Sequence, residues 1–322
     1  MRSSLPVQTL PAGGRDCSVR HLSGERFEDK FEVIECLGRG ATSLVLRVRH
    51  RLLDREMAVK VLVGAGRRDR SARARFFREA SVLATLAHSG IVRVHTLGED
   101  DVIAYVVMDL IAGESLQEVM DKRRLTHEQI MDLGGRVACA LSVAHEKGIV
   151  HRDVKPANIM LTGDPTNLRP VLIDFGSSTS LAKDAADESE QDTLEGTPVY
   201  MSPEQFSDAP VDARSDIYSL GCVLYELIAG QLPFRTGNFY KTAIAHAQQK
   251  PPALPASTPA WLAALVMSML EKDPARRPQS MKVVAQAFST RAWTQSRGEH
   301  LQKVLTLLDV QRTLLRIISS RG

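Results

Sequence analysis

The chain has 322 residues and a formal net charge of +3, with 43% hydrophobic and 25% charged residues. This length allows two domains or one large bilobal unit, and the composition is ordinary for a soluble globular protein. The nearly balanced charge gives no support for a nucleic-acid or acidic-membrane partner, and none is expected. No apolar run is long enough to predict a membrane span.

The four cysteines, Cys17, Cys36, Cys139 and Cys222, lie far apart and form no CxxC pair. A structural zinc site needs closer ligand spacing than this. Three of the four lie in apolar surroundings. The pattern therefore predicts reduced cysteines that pack in the interior of a cytoplasmic protein.

The first third of the chain, up to Met108, has mainly strand signals. Residues 1–25 are rich in Ser, Pro, Gly and Arg without periodicity, which predicts a flexible lead-in. A helix is predicted at Ala72–Ala87, where apolar residues recur near a 3.6-residue period. Its apolar stripe consists of Phe76, Val82, Leu83 and Leu86. The predicted strands are Phe31–Leu37, Ser43–His50, Met57–Leu62, Val92–Leu97 and Ile103–Met108.

The second half has mainly helical signals. Thr126 is the predicted N-cap of a long helix, Gln129 is its reciprocal capping partner, and Gly148 ends it. A second helix is predicted at Ser215–Gly230, with Asp216 as an alternative first residue. Further helices are predicted at Tyr240–Gln249, Pro259–Glu271 and Ser280–Ala287. The chain therefore predicts one bilobal unit with a cleft between its halves, where ligand sites often lie.

A glycine-rich segment, Gly38-Arg39-Gly40-Ala41-Thr42-Ser43-Leu44-Val45, lies between two predicted strands. Glycine lets the backbone approach phosphate oxygens closely. A lone GxG pattern is weak evidence of nucleotide binding. The strand that follows argues against a dinucleotide-binding unit, in which a helix follows the glycines.

Lys60 lies in the apolar strand segment Ala58-Val59-Lys60, and Glu79 follows 19 residues later in the predicted helix. Taken alone, Lys60 is best interpreted as an exposed edge residue. An inward-pointing lysine needs an anionic partner, because an unpaired buried charge is costly. Glu79 lies among apolar residues of its helix and so favours an ion pair with Lys60.

The densest signal is His151-Arg152-Asp153-Val154-Lys155-Pro156-Ala157-Asn158, followed by Ile173-Asp174-Phe175-Gly176. Asp174 and Asn158 offer the hard oxygen ligands that Mg²⁺ prefers. Asp153 can accept a hydroxyl proton, and Lys155 can steady a γ-phosphate. A polar turn with capping Asp and Asn is the alternative, but it accounts poorly for all of these residues in this order.

These segments resemble, in order, the protein kinase superfamily, and most of all its bacterial eukaryotic-like (Hanks-type) serine/threonine members. The resemblance runs from about residue 31 to residue 288. It includes Ser202-Pro203-Glu204, Asp216-Ile217-Tyr218-Ser219-Leu220-Gly221 and Asp273-Pro274-Ala275-Arg276-Arg277-Pro278.

The resemblance implies an α+β, bilobal kinase fold. A β-rich N-lobe with one regulatory helix would span residues 26–108, and a mainly helical C-lobe would span residues 109–290. Beyond the resemblance, an apolar stripe predicts a C-terminal helical tail at residues 291–322. ATP and Mg²⁺, with Mn²⁺ as an alternative, are the implied cofactors.

Residue roles follow from the same resemblance. Lys60 would hold the α- and β-phosphates while paired with Glu79. Lys155, two residues after Asp153, matches the serine/threonine pattern. The residues implied to contact the nucleotide are Gly38, Gly40, Val45, Ala58, Lys60, Asp109 (carbonyl), Ile111 (amide) and Met160. Structural roles are implied for the Glu204–Arg277 pair and for a hydrophobic stack of Leu83, Val94, His151 and Phe175.

Three departures from the family pattern are visible, of which Ser43 in place of the third glycine should at most loosen the phosphate lid. Ala157 replaces an acidic residue that some kinases use to select basic substrate side chains, so basophilic specificity is not supported. The interval between Asn158 and Asp174 is about three residues longer than usual, with an extra turn at residues 163–167. No effect of this turn on the chemistry is expected.

Regulation is predicted in the hydroxyl-rich and acid-rich segment between Asp174 and Glu204. The resemblance implies that Arg152 binds a phosphate on this segment, and Thr193 is the expected site of activating autophosphorylation. Arg75, one helical turn before Glu79, could supply a second cation. Thr197 is implied to contact Asp153 and Lys155 and to help select hydroxyl residues.

Two other functions are less consistent with these motifs. A pseudokinase predicts loss of Lys60, Asp153 or Asp174, and none is lost. Small-molecule kinases of the aminoglycoside phosphotransferase type lack the Asp-Phe-Gly and Ser-Pro-Glu motifs found here. The expected partners are protein substrates with Ser or Thr, together with a second copy for trans-autophosphorylation. A heptad-like stripe at residues 301–318 predicts packing on the C-lobe or self-association.

Overall fold

The computed structural model describes residues 25–40, 42–64, 69–99, 103–165, 167–175, 198–207 and 209–293. The chain divides into two compact units. The first consists of the described residues up to Ala87 together with Val92–Ala112, and the second of His88–Ile91 and the described residues from Gly113 onward. The lobe boundary predicted between residues 108 and 109 lies shortly before this division.

The first unit contains a five-stranded antiparallel sheet in the order β1-β2-β3-β5-β4. Its strands are β1 (Phe31–Arg39), β2 (Ser43–His50), β3 (Arg55–Leu62), β4 (Val94–Glu99) and β5 (Ala104–Asp109). The helices of this unit are α1 (Glu25–Glu28) and α2 (Arg70–Ala84). Each of the five predicted strands is present, with its ends shifted by no more than a few residues.

Alternation along the strands gives the sheet two different faces. Side chains of successive strand residues point to opposite faces, so every second residue shares a face. One face carries Leu46, Val59 and Tyr105, which belong to a buried core cluster completed by residues such as Phe27 and Phe31. The rings of Phe27 and Phe31 pack on Tyr105 with centroids 5.1 and 5.8 Å away. The opposite face is therefore available for other contacts.

Helix α2 begins and ends a few residues earlier than predicted, and its apolar stripe differs from the prediction at one position. Asp69 is the N-cap and accepts a hydrogen bond from the Ser71 amide at 2.8 Å. Phe76 and Leu83 are buried as expected, whereas the Val82 side chain is 37% exposed. The interpretation of Val82 as a core residue was wrong because it lies off the buried face of the helix.

The second unit is mainly helical. Its helices are α3 (Leu116–Lys122), α4 (His127–Glu146), α5 (Ala213–Ala229), α6 (Phe239–Gln248), α7 (Ala260–Met269) and α8 (Met281–Thr290). A three-stranded sheet, in the order β6-β7-β8, consists of β6 (Glu114–Ser115), β7 (Ile159–Thr162) and β8 (Arg169–Leu172). Single turns of 3₁₀-helix occur at Pro156–Asn158, Pro203–Phe206 and Pro274–Arg276. Neither α3 nor the small sheet was predicted as such from the sequence.

Helix caps account for the ends of the two longest helices of this unit. Thr126 and Gln129 form the predicted capping box of α4, and Gly148 follows the helix with φ of 74°. Helix α5 ends at the predicted Gly230, with φ of 71°. Its start was predicted too late, because the Asp212 side chain caps the helix by accepting from the Arg214 amide.

The cysteines only partly agree with the sequence prediction. Cys222 is buried and free, as expected. Cys139 is free but exposed, since it lies on the outer face of α4. Cys36 is disulfide-bonded, so the prediction of a reduced thiol was wrong at this position. In the part of the chain that the structure describes, no helix is long and apolar enough to cross a membrane.

Candidate active site

The β7–β8 hairpin brings two distant parts of the predicted site together. Ile159 pairs with Leu172, and the Ile173 amide donates to the Asn158 carbonyl at 3.0 Å. Asn158 and Asp174 therefore flank the same end of one antiparallel ladder. Their side chains are sixteen residues apart in sequence, but the hairpin places both residues at one edge.

The extra turn noted in the sequence lies at the other end of this hairpin. There Thr162 pairs with Arg169, and the chain reverses between them. The turn is thus separated from Asn158 by the length of β7, which is the physical reason to expect no effect on the chemistry.

Asp153, Lys155 and Asn158 form one hydrogen-bonded cluster. The Asp153 Oδ2 atom accepts from Lys155 Nζ and from Asn158 Nδ2, each at 2.8 Å. Asn158 Nδ2 also donates to the Asp153 carbonyl at 2.8 Å. Among the described residues, Asp153 Oδ1 accepts no hydrogen bond. One oxygen of the carboxylate is therefore fixed, and the other remains available to an incoming hydroxyl.

The donor set at Asn158 and Asp174 fits Mg²⁺. Because Asn158 Nδ2 is committed to Asp153, the carboxamide directs its Oδ1 atom elsewhere, and this atom accepts no hydrogen bond from the described residues. The described residues contain no group of three or more His, Cys, Asp or Glu side chains that could hold a metal ion. A site formed by Asn158 and Asp174 therefore suits an ion whose other ligands are water and substrate phosphate oxygens.

His151 is a buried neutral residue that orders the loop before Asp153. Burial lowers the pKa of His151, although the Asp216 carboxylate opposes this shift. The Asp153 amide donates to His151 Nδ1 at 3.3 Å, so Nε2 carries the proton and donates to the Ile173 carbonyl at 3.1 Å. The imidazole also packs on the Phe175 ring, with centroids 4.4 Å apart. Two members of the predicted hydrophobic stack are thus in contact.

Asp216 anchors the backbone of the same loop from within α5. Its carboxylate is fully buried and accepts from the backbone amides of His151 and Arg152, each at 2.8 Å. It also bonds His145 Nε2 at 2.7 Å. Arg152 has φ of 66°, in the left-handed region that non-glycine residues rarely adopt. Such a conformation persists where the surroundings hold it.

The turn at Pro203–Phe206 contacts both the helical core and this loop. Glu204 forms a buried ion pair with Arg277 and accepts from the Ser215 hydroxyl. The neighbouring Gln205 Nε2 donates to the Arg152 carbonyl at 2.8 Å. The turn is therefore fixed on one side to the core and on the other to the residue before Asp153.

In the first unit, the strand register places four of the predicted nucleotide-binding residues on one face of the sheet: Gly38, Val45, Ala58 and Lys60. Val45 pairs with both Gly38 and Lys60. Ala58 lies two residues before Lys60 and so shares its face. The Gly40 amide donates to the Ser43 carbonyl at 2.8 Å, which closes the turn between β1 and β2. Glu79 lies on α2 of the same unit and is partly buried.

Asp109, at the end of β5, has a well-defined side chain. Its Oδ1 atom accepts from Arg55 Nη2 at 2.9 Å and lies 2.7 Å from His95 Nε2. These contacts join the end of β5 to the starts of β3 and β4. Ile111 follows in the same unit, whereas Met160 lies on β7 of the second unit.

The predicted regulatory residues are only partly described. Thr193 and Thr197 lie outside the described residues. Arg75 lies on the exposed face of α2, and Arg152 is partly buried.

Two contributors were missed in the sequence analysis. Asp216 was recognised only as part of a motif, although a carboxylate at the start of an apolar helix signals a buried partner. Gln205 gave no signal, because its partner Arg152 lies 53 residues away.

The fold and these residues define a class of protein. A glycine-rich strand turn, a strand lysine, an Asp-Lys-Asn cluster and an aspartate beside the asparagine together suit metal-assisted phosphoryl transfer from a nucleotide. A family model described as "Protein kinase domain" matches residues 31–289. The chain therefore belongs to the protein kinase family.

The chain is also similar to curated proteins that are named serine/threonine-protein kinases. The chain is 35% identical over 267 residues to a probable serine/threonine-protein kinase of Clostridium perfringens, covering 82% of this chain and 38% of the relative. It is 38% identical over 270 residues to the serine/threonine-protein kinase PknB of Mycobacterium tuberculosis, covering 81% and 42%. The chain thus spans about two fifths of the length of these curated relatives.

A solved structure shows the same fold. The crystal structure of the Mycobacterium tuberculosis PknI kinase domain aligns with a TM-score of 0.62 at 30% identity. The alignment covers 82% of this chain and 96% of that chain. The predicted α+β kinase fold is confirmed.

Proposed function

We propose that this chain is a serine/threonine protein kinase that transfers the γ-phosphate of ATP to Ser or Thr hydroxyls of protein substrates. The cluster of Asp153, Lys155 and Asn158 carries this proposal, because it holds one carboxylate oxygen, while the other accepts no hydrogen bond from the described residues. The names of the two curated relatives support the choice of serine and threonine as acceptors.

Nucleotide binding is assigned to the face of the first sheet that carries Lys60. Val45 and Ala58 offer apolar contact to a base, and Gly38 and Gly40 let the backbone approach the phosphates. Lys60 is assigned to the α- and β-phosphates, with Glu79 orienting it. The Asp109 carbonyl, the Ile111 amide and the Met160 side chain are assigned to the adenine ring.

Phosphoryl transfer is assigned to the second unit. The substrate hydroxyl oxygen attacks the γ-phosphorus, the bond to the bridging oxygen of ADP breaks, and the hydroxyl proton passes to Asp153 Oδ1. Lys155 steadies the transferring phosphoryl group, which is mainly stabilised by charge and position. Asn158 and Asp174 would hold Mg²⁺, or Mn²⁺ in its place, and the bound ion neutralises charge on the phosphate oxygens.

The decisive experiment measures transfer of labelled γ-phosphate to a generic protein substrate. Wild type is expected to be active, and Asp153→Asn is expected to lose at least about a hundredfold in kcat, as for loss of a general base. Asp132→Asn is the matched control, since Asp132 lies on the exposed face of α4 and, among the described residues, pairs with Arg136 alone. An inactive wild type would support a pseudokinase, and an active Asp153→Asn would refute the assigned base.

Metal dependence gives a second test. Asp174→Ala is expected to abolish Mg²⁺-dependent turnover while the protein stays folded. Retained turnover at saturating Mg²⁺ would overturn the assigned metal ligand.

Activation by autophosphorylation is part of the proposal. It rests on Arg152 and the exposed Arg75 as cations for a phosphate on Thr193, and on a second copy acting in trans. Mass spectrometry of active enzyme should show phosphate on Thr193, and Thr193→Ala should lower activity. An unmodified Thr193 in fully active enzyme would exclude this residue. Thr197 is assigned to contacts with Asp153 and Lys155.

Physiological substrates need a cellular experiment. Phosphoproteomics that compares wild type with Asp153→Asn should show loss of phosphate from serine and threonine sites. Loss confined to tyrosine sites would contradict the proposed acceptor class.

A further inference from the structure

The peptide unit between Arg152 and Asp153 is fixed at both of its polar ends. Its carbonyl, on Arg152, accepts from Gln205 Nε2 at 2.8 Å. Its N–H, on Asp153, donates to His151 Nδ1 at 3.3 Å. Because this peptide is attached directly to the Cα atom of Asp153, its orientation sets the direction of the Asp153 side chain.

The conformation of this peptide needs support from its surroundings. Arg152 has φ of 66°, which is strained for a residue with a side chain. The Arg152 N–H is held by Asp216 Oδ1 at 2.8 Å, so Gln205 and Asp216 hold the two polar groups of one strained residue. Loss of either contact removes a restraint on the residue that precedes the proposed base.

Gln205 is itself well anchored. Its Oε1 atom accepts from the Ser202 amide at 3.0 Å and from the Ser202 hydroxyl at 3.1 Å. Its neighbour Glu204 is fixed by the buried pair with Arg277. The carboxamide therefore bridges a rigid turn and the Arg152 carbonyl, using its acceptor on one side and its donor on the other.

We propose that Gln205 is a positioning residue for phosphoryl transfer. By donating to the Arg152 carbonyl, it holds the Arg152–Asp153 peptide and thus the direction of the Asp153 carboxylate. This inference rests on the proposed function. It assigns to the residue after Glu204 a role in turnover in addition to its role in capping the 3₁₀ turn.

Substitution of Gln205 by glutamate or by methionine separates its function as an acceptor from Ser202 from its function as a donor to the Arg152 carbonyl. Gln205→Glu keeps the acceptor that caps Ser202, but at neutral pH it has no donor for the Arg152 carbonyl. Gln205→Met is similar in length and loses both functions. At acidic pH the protonated carboxyl of Gln205→Glu regains an O–H donor, whereas Gln205→Met cannot.

Gln129 offers a matched control in the same chain. Its Oε1 atom accepts from the Thr126 amide at 2.9 Å, and its Nε2 atom donates to the Pro165 carbonyl at 2.8 Å. It therefore has the same chemistry as Gln205, at the start of α4 rather than beside Asp153. Gln129→Glu should leave turnover unchanged.

The experiment measures kcat, KM for ATP and the thermal midpoint for wild type, Gln205→Glu, Gln205→Met and Gln129→Glu. Both Gln205 variants should lose about ten- to a hundredfold in kcat, the effect of a displaced catalytic group, with KM for ATP within about twofold of wild type. Relative to wild type at each pH, Gln205→Glu should recover as the pH falls from 7.5 to about 4.5, where an ordinary glutamate becomes substantially protonated, while Gln205→Met should not.

Three outcomes would overturn the inference. Wild-type kcat in both Gln205 variants refutes a positioning role. A loss of kcat that follows the thermal midpoint, or that Gln129→Glu shares, shows a purely structural role. An inactive wild type overturns the proposed function and this inference with it, so the two failures are distinguishable.

Discussion

Arg277 and Glu204 form a two-point ion pair inside the helical unit. Arg277 Nη1 lies 2.7 Å from Glu204 Oε1, and Nη2 lies 2.8 Å from Oε2. The residues are 3% and 7% exposed. Burial raises the pKa of Glu204, but hydrogen bonds from Arg277 and Ser215 together with the Arg277 charge outweigh it, so the pKa falls below its ordinary value. Glu204 therefore stays ionised in the folded protein.

Removal of one partner of this pair should be strongly destabilising. Arg277→Met leaves a buried carboxylate uncompensated, and we expect a loss of about 3–5 kcal/mol in the free energy of unfolding. Chemical denaturation measures it. Arg291→Met is the control, since Arg291 pairs with Glu128 at an exposed site and should change little. Equal effects of the two substitutions would contradict the buried role of Arg277.

Acid should weaken the fold through His246. Its imidazole is fully buried, and Tyr218 Oη lies 2.9 Å from Nδ1. Burial first, and then the charge of Lys272, lower the pKa of His246 from 6.5 to about 4, against a smaller effect of the Val199 backbone. Between pH 6.5 and about pH 4, His246 therefore binds a proton in the unfolded chain but not in the folded chain. The free energy of unfolding therefore falls on acidification, by up to about 1.4 kcal/mol per pH unit.

Denaturation midpoints measured from pH 7 to pH 4 test this prediction. His246→Gln cannot bind the proton in either state, so its stability should depend less steeply on pH over this window. Parallel slopes for the two proteins would show that His246 does not contribute. The carboxyl of Glu204, with its lowered pKa, contributes stability that is lost only below about pH 4.5, the ordinary value from which its pKa is depressed.

Gly98 is required by the packing of the five-stranded sheet. It pairs with Tyr105 across β4 and β5, and a Cβ atom at this position would overlap the Tyr105 ring. The ring cannot move aside because Phe27 and Phe31 pack against it. Gly98→Ala should therefore destabilise the first unit by about 1–3 kcal/mol.

Gly38→Ala is the control for this substitution, and the two are compared only for thermal stability. Gly38 lies in β1 of the same sheet, and a Cβ atom there would meet nothing within 4 Å. A lower thermal midpoint for Gly98→Ala alone is expected. If both variants have the thermal midpoint of wild type, the Tyr105 ring moves to relieve the overlap, and the prediction is wrong.

The contacts of the Asp109 side chain should affect nucleotide binding, because they hold the backbone carbonyl of the same residue in place. Arg55 and His95 hold the Asp109 carboxylate, and the Asp109 carbonyl is proposed to contact adenine. Asp109→Ala should raise KM for ATP about three- to tenfold, the loss of about one hydrogen bond, with a smaller change in kcat. Steady-state kinetics measure both constants, with Asp132→Ala as the control. An unchanged KM for ATP would show that the Arg55–Asp109 ion pair does not affect nucleotide binding.

Local patterns in the sequence determined much of the fold. Alternation predicted β2 with its observed ends, because a strand with one buried face must place apolar residues at every second position. Thr126 and Gln129 predicted the start of α4, because a capping box is satisfied within four residues. The order of motifs also placed Asp153, Lys155 and Asn158 in one loop.

Only the tertiary structure decided how that loop is held. The buried Asp216 lies 64 residues from Arg152, and Gln205 lies 53 residues from it. Hydrogen bonds over such separations depend on which helices pack together, and local periodicity does not contain that information. Burial of Val82 was mispredicted for the same reason: apolar character indicates that a side chain can be buried, but only its neighbours in space decide whether it is.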